Sequence, residues 1–458
     1  MDVLPAQVLP IDSINNTDSN ITAFSLRSFG DKPYFEISTK EKKYTIAADS
    51  GDSIKITPAY DEIKDYAQRW SKANIIRVDT LRELEQWIPF GRLKEEFPIY
   101  KFYFGDEDKH QLYISSRTGE ALQFTDKENR FWSWVGAIPH WVYFTSLRQD
   151  SQRWVDVVVF LSGIGCIMCL SGIVLGIRSY IMQYRRRKKI ESPYKKRIYK
   201  WHHILGFVFG IFVFTFVFSG MMSLAAVPKW MVNVHNPDIQ KELLAKQPIK
   251  LSDYKLNIQK ILDKYPDKVK SIEWDSFGHI PLYKVIVDNR LITLNASSEN
   301  IQNLELNEAD IKDRLTPLHK ENISASLMTG YDNYYVGLSD HLPLPVYKVE
   351  VEDADHSTYY VNPKNGSIRY FNTNSKARHW TYGALHSFKF KFAVENKIVW
   401  NIMMWTTMIG GTLVSISGVW LGFRYLKRKI KTLKKHIFSN KHTYDKRQNN
   451  SCGDRSGQ

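Results

Sequence analysis

The sequence has few cysteines and lacks the common motifs for nucleotides and for catalytic zinc. Its 458 residues include three cysteines, Cys166, Cys169 and Cys452. The first two lie inside an apolar run, where a thiolate would be shielded from water, so we expect them to pack rather than to do redox chemistry. The chain contains no G-x-G-x-x-G after a strand, no Walker loop and no His-Glu-x-x-His. We therefore recognise no disulfide framework and no NAD, flavin or ATP site.

Charged residues are absent from three long apolar runs of the sequence. Each run reaches the ~20 apolar residues that are needed to span a bilayer. We predict transmembrane helices at residues 153–178, 201–227 and 398–424. The alternative, three buried helices of a soluble protein, does not suit runs of this length.

The net charge of +15 is concentrated beside these runs. Between residues 178 and 200 there are ten Lys/Arg and one acid, and between 424 and 435 there are seven and none. Both stretches adjoin apolar runs, so the positive-inside rule places them in the cytoplasm and no nucleic-acid partner is expected. The predicted order is an extracytoplasmic domain 1–150, helix 153–178, basic cytoplasmic loop 179–200, helix 201–227, extracytoplasmic domain 228–395, helix 398–424 and basic cytoplasmic tail 425–458.

The sequence repeats itself at an offset of 247 residues. FPIYKFYFGDED begins at Phe97, and LPVYKVEVEDAD begins at Leu344. After a one-residue deletion the offset becomes 246, and His140 then corresponds to His386. Each half ends with a strand, a Gly turn, a His and an apolar helix closing on Ser-Gly-x-x-Leu-Gly-x-Arg. The fold class predicted from this repeat is an α-helical transmembrane bundle built from two pseudo-repeats, each with an α+β extracytoplasmic domain.

The repeat also predicts a helix before the first domain. Residues 1–20 contain neither a basic stretch nor an apolar run that would export that domain. In the second half the domain follows a helix that contains His203, and the equivalent of His203 would lie 44 residues before Met1 (203 − 247 = −44). We hypothesise that the sequence is truncated at its N-terminus or that its start site is misassigned.

Three motifs carry a resemblance to a known family. They are WVGAIPHWVYF from Trp134, WHHILG from Trp201 with FSG from Phe218, and LHSF from Leu385 with SGVWLG from Ser417. Together they resemble the PepSY-associated transmembrane proteins of bacteria, which include iron-regulated inner-membrane proteins and siderophore reductases of the FoxB type. The resemblance covers roughly residues 30–430. It implies four helices, a PepSY-like periplasmic domain in each half, haem b held by membrane histidines, and reduction of siderophore-bound iron.

Four histidines are candidates for holding haem. His140 and His386 each stand 31 residues before a Ser-Gly pair (171 − 140 and 417 − 386), so the repeat places them at equal depth as axial ligands of one haem iron. The alternative is that both anchor interfacial segments. At the cytoplasmic end of the second helix lie His203 and His202, of which the sequence favours His203. The alternative for these two is contact with lipid headgroups.

The resulting functional hypothesis is a haem-containing inner-membrane protein that reduces ferric-siderophore-type iron outside the cytoplasm. Because no nucleotide site is recognised, its electrons would come from a quinol or a separate cytoplasmic donor. The alternative is a non-enzymatic PepSY module that binds or regulates periplasmic or secreted proteins. Transport is a weaker hypothesis, because the apolar runs lack the acids that transport sites use.

Overall fold

A computed structural model describes residues 3–10, 21–29, 32–54, 58–224, 233–245, 248–337 and 342–453. The boundary predicted at residue 228 lies outside these ranges. The strands are β1 Ile21–Phe29, β2 Lys32–Thr39, β3 Lys43–Ala47, β4 Ser53–Ile54, β5 Ile75–Leu81, β6 Ile99–Phe104, β7 Gln111–Ser115, β8 Ala121–Thr125, β9 Val269–Phe277, β10 Ile280–Val287, β11 Arg290–Asn295, β12 Gln302–Asn303, β13 Ile323–Met328, β14 Val346–Val351, β15 Thr358–Val361 and β16 Ile368–Phe371. The helices are α1 Tyr60–Gln68, α2 Lys127–Val135, α3 Ala137–Trp141, α4 Thr145–Arg148, α5 Ser151–Arg187, α6 Arg197–Leu224, α7 Ile239–Leu244, α8 Ile258–Lys264, α9 Glu308–Leu315, α10 Thr373–Arg378, α11 Leu385–Ser387, α12 Lys391–Val394 and α13 Lys397–Gly453.

The predicted fold class, an α-helical transmembrane bundle, is wrong. The described residues form three antiparallel sheets with 23% strand, so the fold is mixed α/β. Three helices are long and apolar enough to cross a membrane, namely Ser151–Arg187, Arg197–Leu224 and the part of α13 within Lys397–Thr432. In the most apolar stretch of each helix, 6, 11 and 22% of the residues, respectively, are buried. The prediction of helices at the apolar runs is therefore correct, but these helices are not the whole architecture, because the sheets form a unit of their own.

The described chain divides into two units. The sheet unit comprises Met1–Val158 and Ala226–His379, and the helical unit comprises Val159–Ala225 and Trp380–Gln458. The long helix α5 begins in the sheet unit and continues into the helical unit. Each unit is described by itself below.

The central sheet of the sheet unit joins the two halves of the repeat. Its strand order is β12-β11-β10-β9-β1-β2-β3-β4. At its middle β1 pairs antiparallel with β9, where Phe24 faces Trp274 and Leu26 faces Ile272. These side chains are almost fully buried, and the Phe24 ring stands edge-on to Trp274 at 4.5 Å. Alternating inward apolar residues from both halves thus form one core.

Two smaller sheets repeat each other within the same unit. The first small sheet has the order β5-β6-β7-β8, and the second has the order β13-β14-β15-β16. Strand β14 begins 247 residues after β6 (346 − 99 = 247). One face of each sheet packs on a helix, as Ile63 of α1 shows in the first and Ile311 of α9 in the second. The turn glycines Gly119 and Gly366 both have φ +68°, a value that glycine adopts without strain.

The other face of the first small sheet is covered by residues 82–98. Ile88 of this segment is buried with Ile99 and Tyr113. Glu85 of the same segment binds two cross-strand neighbours, accepting from Lys101 Nζ at 2.7 Å and from the Tyr113 hydroxyl. Burial, followed by the Glu85 carboxylate, raises the pKa of Tyr113, so its hydroxyl stays protonated and donates.

The second small sheet carries the same three-residue cluster. Lys348 and Tyr360 are cross-strand neighbours in β14 and β15. Asp332 accepts from the Tyr360 hydroxyl at 2.7 Å and lies 3.6 Å from Lys348 Nζ. Asp332 stands 247 residues after Glu85 (332 − 85 = 247). The repeat therefore preserves a lysine, a tyrosine and a carboxylate that fasten a covering segment to each sheet.

The helical unit is held together by close contacts at glycines. Helix α6 meets α13 so closely that a Cβ on Gly410 would lie 2.3 Å from the Phe209 ring, and one on Gly411 would lie 3.3 Å from Val213. On another face of α6, a Cβ on Gly210 would lie 3.4 Å from Ile173 of α5. Small residues allow membrane helices to pack at short range in this way.

Candidate functional site

His386 lies in α11 and contacts α6 through a serine and a glycine. Its Nδ1 atom is 3.1 Å from Ser219 Oγ and 3.1 Å from the carbonyl oxygen of Phe216. Its Cε1 atom is 3.5 Å from the position of a Cβ on Gly220. A carbonyl oxygen only accepts hydrogen bonds, so Nδ1 carries the proton. The Nδ1 atom of His386 is therefore the donor that joins α11 to α6.

His202 lies in the first turns of α6 and contacts α13 in the same manner. Its Nδ1 atom is 2.9 Å from Ser417 Oγ, and its Cε1 atom is 3.4 Å from the position of a Cβ on Gly418. The Ser417 hydroxyl donates to the carbonyl oxygen of Leu413 at 2.7 Å. The serine oxygen is then an acceptor for Nδ1–H, so Nδ1 carries the proton in this ring as well.

The two sites are reciprocal. Helix α6 supplies His202 to one site and Ser219-Gly220 to the other, while the chain segment from α11 to α13 supplies His386 and Ser417-Gly418. The two sites are separated along α6 by 17 residues (219 − 202), or about 25 Å at ~1.5 Å per residue. We call them the His202 site and the His386 site.

His203 has a different environment from its neighbour. Its Nε2 atom is 3.2 Å from the carbonyl oxygen of Gly176, and its Nδ1 atom is 3.1 Å from Ser192 Oγ. The ring stacks on Tyr180 with centroids 4.3 Å apart and meets Tyr194 edge-on at 5.2 Å. Both ring nitrogens are thus used by protein groups. His203 ties α5, the basic loop and α6 together.

His140 lies in α3 of the sheet unit and is exposed. Its backbone N–H donates to the Gly136 carbonyl at 3.0 Å. The helix ends at Val142, which adopts φ +53°, and Trp154 Nε1 of α5 donates to the Trp141 carbonyl at 2.7 Å. This segment therefore packs on the first turn of α5.

The segment that carries His386 has the same local structure in the helical unit. Its helix ends at Phe388, which adopts φ +48°, and Trp400 Nε1 of α13 donates to the Ser387 carbonyl at 2.8 Å. Each of these features stands 246 residues after its counterpart around His140. The equivalence inferred from spacing alone is thus also an equivalence of local backbone and of packing on the following helix. The two histidines belong to different units.

Sequence reasoning missed the serines as partners of the histidines. The Ser-Gly pairs entered the sequence analysis only as parts of the repeat and of the motifs. The available signal was that Ser-Gly recurs near the same place in each apolar helix. The third copy is Ser171-Gly172 of α5. Apart from the backbone of α5 itself, no heavy atom lies within 4 Å of a Cβ placed on Gly172.

The histidine sites are single imidazoles rather than clusters. Among the residues that the structure describes, no group of three or more His, Cys, Asp or Glu stands close enough to hold a metal ion.

Comparison of the chain with family models, with curated proteins and with solved structures gave no match. The resemblance to PepSY-associated transmembrane proteins stays a prediction from the motifs.

Proposed function

We propose that this protein is a haem-containing membrane electron-transfer protein that reduces ferric-siderophore-type iron outside the cytoplasm. The observation that carries the proposal is the pair of reciprocal histidine sites. His202 and His386 each have Nδ1 held by a serine hydroxyl of the neighbouring helix. Two matched imidazoles at opposite ends of an apolar helix pair are difficult to explain by lipid contact alone.

In this proposal His202 and His386 would each supply one axial ligand to haem b. A histidine that binds iron through Nε2 needs its Nδ1–H oriented by an acceptor, and such partners fix the tautomer and the ring plane. Ser417 provides that acceptor for His202, and Ser219 with the Phe216 carbonyl provides it for His386. Haem b would supply a one-electron iron couple, which is the chemistry that the side chains lack.

The assignment of ligands follows the two sites. His386 would supply one axial ligand, and its pairing with His140 stays a prediction of the repeat. His202 is the protein ligand at the other end of α6, since the ring nitrogens of His203 are used by Gly176 and Ser192.

The proposed topology follows the charges. The basic residues between 178 and 200 make the ends of α5 and α6 that flank them cytoplasmic under the positive-inside rule. The chain is then a multi-pass protein of a bacterial inner membrane with the sheet unit on the periplasmic side. The His202 site lies toward the cytoplasm, where a quinol or a cytoplasmic protein delivers electrons. The His386 site lies toward the periplasm.

The proposed substrate class follows from the chemistry of iron. Siderophores bind Fe(III) through hard oxygen donors, and reduction to Fe(II) weakens that binding. Electron delivery alone achieves release, so no acid–base residue is needed. The PepSY resemblance supports this substrate class.

A dithionite-reduced minus oxidised spectrum of the purified full chain tests the proposal. We expect a b-type α band that loses part of its amplitude in His202→Ala and another part in His386→Ala. His203→Ala is the matched control and should keep the band. A colourless protein, or a band unaffected by both substitutions, would refute the proposal. A colourless, folded protein would favour the non-enzymatic binding module.

A further inference from the structure

The sheet unit exposes an unusual group of aromatic side chains. Half of the twelve large apolar side chains exposed in the described part of this unit fall within residues 131–144, and the rest are scattered. Each of the six is between 42 and 59% exposed. They are Phe131, Trp132, Trp134, Val135, Trp141 and Phe144. We call this group the aromatic face.

Helix α2 has no face that packs on the core. Asp126 caps its first turn by accepting from the Asn129 backbone N–H at 2.7 Å, and none of its nine residues is buried. Arg130 donates to the Lys109 carbonyl at 2.8 Å and to Thr125 Oγ1 at 2.9 Å. These bonds fasten the polar side of α2 to the first small sheet and leave its aromatic side facing outward. A short helix without a buried face depends on its surroundings for stability.

The aromatic face is continuous with the start of an apolar helix. A single residue, Gly136, separates α2 from α3, and α3 packs on Trp154 of α5. The Arg148 guanidinium lies 4.5 Å from the Trp154 ring centroid and fixes α4 to the same turn. Three residues later, at Val157, α5 enters its uncharged apolar run. The aromatic face therefore lies beside the point where α5 becomes apolar enough to enter a bilayer.

The repeat shows that the fold does not require this face. At an offset of 247 the equivalents of Phe131 and Trp134 are Arg378 and Thr381. Helix α10, which stands in the place of α2, reads TNSKAR. Its Lys376 turns back to bond the His356 carbonyl at 2.5 Å. The equivalent segment keeps one exposed aromatic residue, Trp380 at 41% exposure, so the larger aromatic group is particular to the first half.

We propose that the aromatic face lies in the headgroup region of the bilayer surface that α5 enters. Tryptophan is enriched at membrane interfaces because its apolar ring and its polar N–H meet two environments at once. Phenylalanine adds apolar area of the kind that interfacial helices bury. The occupant is lipid, since the face joins directly to an apolar span. The contact holds the first half of the sheet unit against the membrane. This inference does not depend on the proposed function.

Site-specific fluorescence tests the inference on the full chain in liposomes. A cysteine-free background is made with Cys166→Ala, Cys169→Ala and Cys452→Ala, and Phe131→Cys is labelled with NBD. The control is Arg378→Cys, the exposed repeat equivalent. We expect the label at 131 to emit at shorter wavelength than the control. Lipids with a doxyl group near the headgroup should also quench it several-fold more.

Several outcomes would overturn the inference. Equal doxyl quenching at the two positions would do so, as would strong quenching of the label at 131 by aqueous iodide. A label at 131 that is shielded from both quenchers would identify a protein partner or a second copy as the occupant instead. Trp134→Cys serves as a second labelled position. Both substitutions are at exposed side chains, so circular dichroism should show an unchanged fold.

Discussion

Replacing Glu85 by alanine should destabilise the sheet unit much more than replacing Lys101 by methionine. The Lys101 side chain is 8% exposed and its Nζ lies 2.7 Å from the Glu85 carboxylate, which is 30% exposed. Loss of Glu85 leaves a buried ammonium without its partner and also removes the acceptor of the Tyr113 hydroxyl. Loss of the lysine charge leaves a carboxylate that water still reaches and that Tyr113 still bonds.

The expected magnitudes differ by a factor of about three. Removing one partner of a buried ion pair costs about 3–5 kcal/mol, and we take about 3 kcal/mol because water reaches Glu85 in part. A methionine in place of the lysine keeps the packing and should cost about 1 kcal/mol or less. At roughly 2–4 °C per kcal/mol, the melting temperature should fall by about 6–12 °C in Glu85→Ala and by less than about 4 °C in Lys101→Met.

Thermal unfolding of the full chain in detergent, followed by circular dichroism, measures both variants. The double variant should melt above Glu85→Ala alone, because it no longer contains the unpaired ammonium. Arg77→Ala is the surface control, since the Arg77 side chain is 64% exposed in its pair with Asp79 and such pairs contribute little. The reasoning fails if Lys101→Met is as destabilising as Glu85→Ala, or if the double variant is the least stable of the three.

Three further predictions concern other parts of the molecule. Burial lowers the pKa of His319 from its ordinary 6.5. The folded state therefore resists protonation of His319, and the stability that His319 contributes above pH 6.5 is lost as the pH falls. The melting temperatures at about pH 7.5 and about pH 5.5 should differ less in His319→Gln than in the parent. If the proposed function is correct, Ser417→Ala should weaken haem binding at its site by about 10–100-fold, seen as lower haem content at limiting haem, whereas Ser171→Ala, its exposed repeat equivalent, should not. Gly410→Ala should destabilise the helical unit by about 1–3 kcal/mol, measured as loss of helical signal at lower temperature, and Gly422→Ala on the same helix should have little effect because no heavy atom outside its own helix backbone lies within 4 Å of its Cβ position.

Local elements of this fold were predictable because their signals lie in neighbouring residues. The three membrane-length helices predicted from the apolar runs are confirmed. Helix α5 extends past the predicted end at residue 178, because the basic residues that follow are good helix formers and no proline occurs before Pro193. The hairpin of β6 and β7 and the Gly119 turn also follow from period-two patterning and turn chemistry.

Long-range pairings were not predictable, because they leave no local trace in the sequence. The β1–β9 pairing joins residues about 250 positions apart, and no local pattern places two predicted domains on one sheet. The choice between His202 and His203 also depends on a long-range contact. Adjacent helical residues point about 100° apart, and only the position of α13 decides which imidazole meets Ser417. The repeat and its apolar helices led to the prediction of a helical bundle, whereas three antiparallel sheets make up much of the described fold.

The reciprocal arrangement of the histidine sites gives Gly410 a significance beyond packing. The Phe209 contact with Gly410 lies on α6 between His202 and Ser219, 7 residues from one and 10 from the other. A methyl group at Gly410 would push α6 and α13 apart at this central point. The His202 site needs atoms from both helices, and the His386 site needs α6 and α11, which Trp400 of α13 holds through the Ser387 carbonyl. We therefore expect Gly410→Ala to weaken both sites together, whereas Ser417→Ala weakens one. Equal amplitude losses at both sites in Gly410→Ala, read from the reduced-minus-oxidised spectrum, would support a shared scaffold. Loss at a single site would contradict it, because the two sites would then be positioned independently.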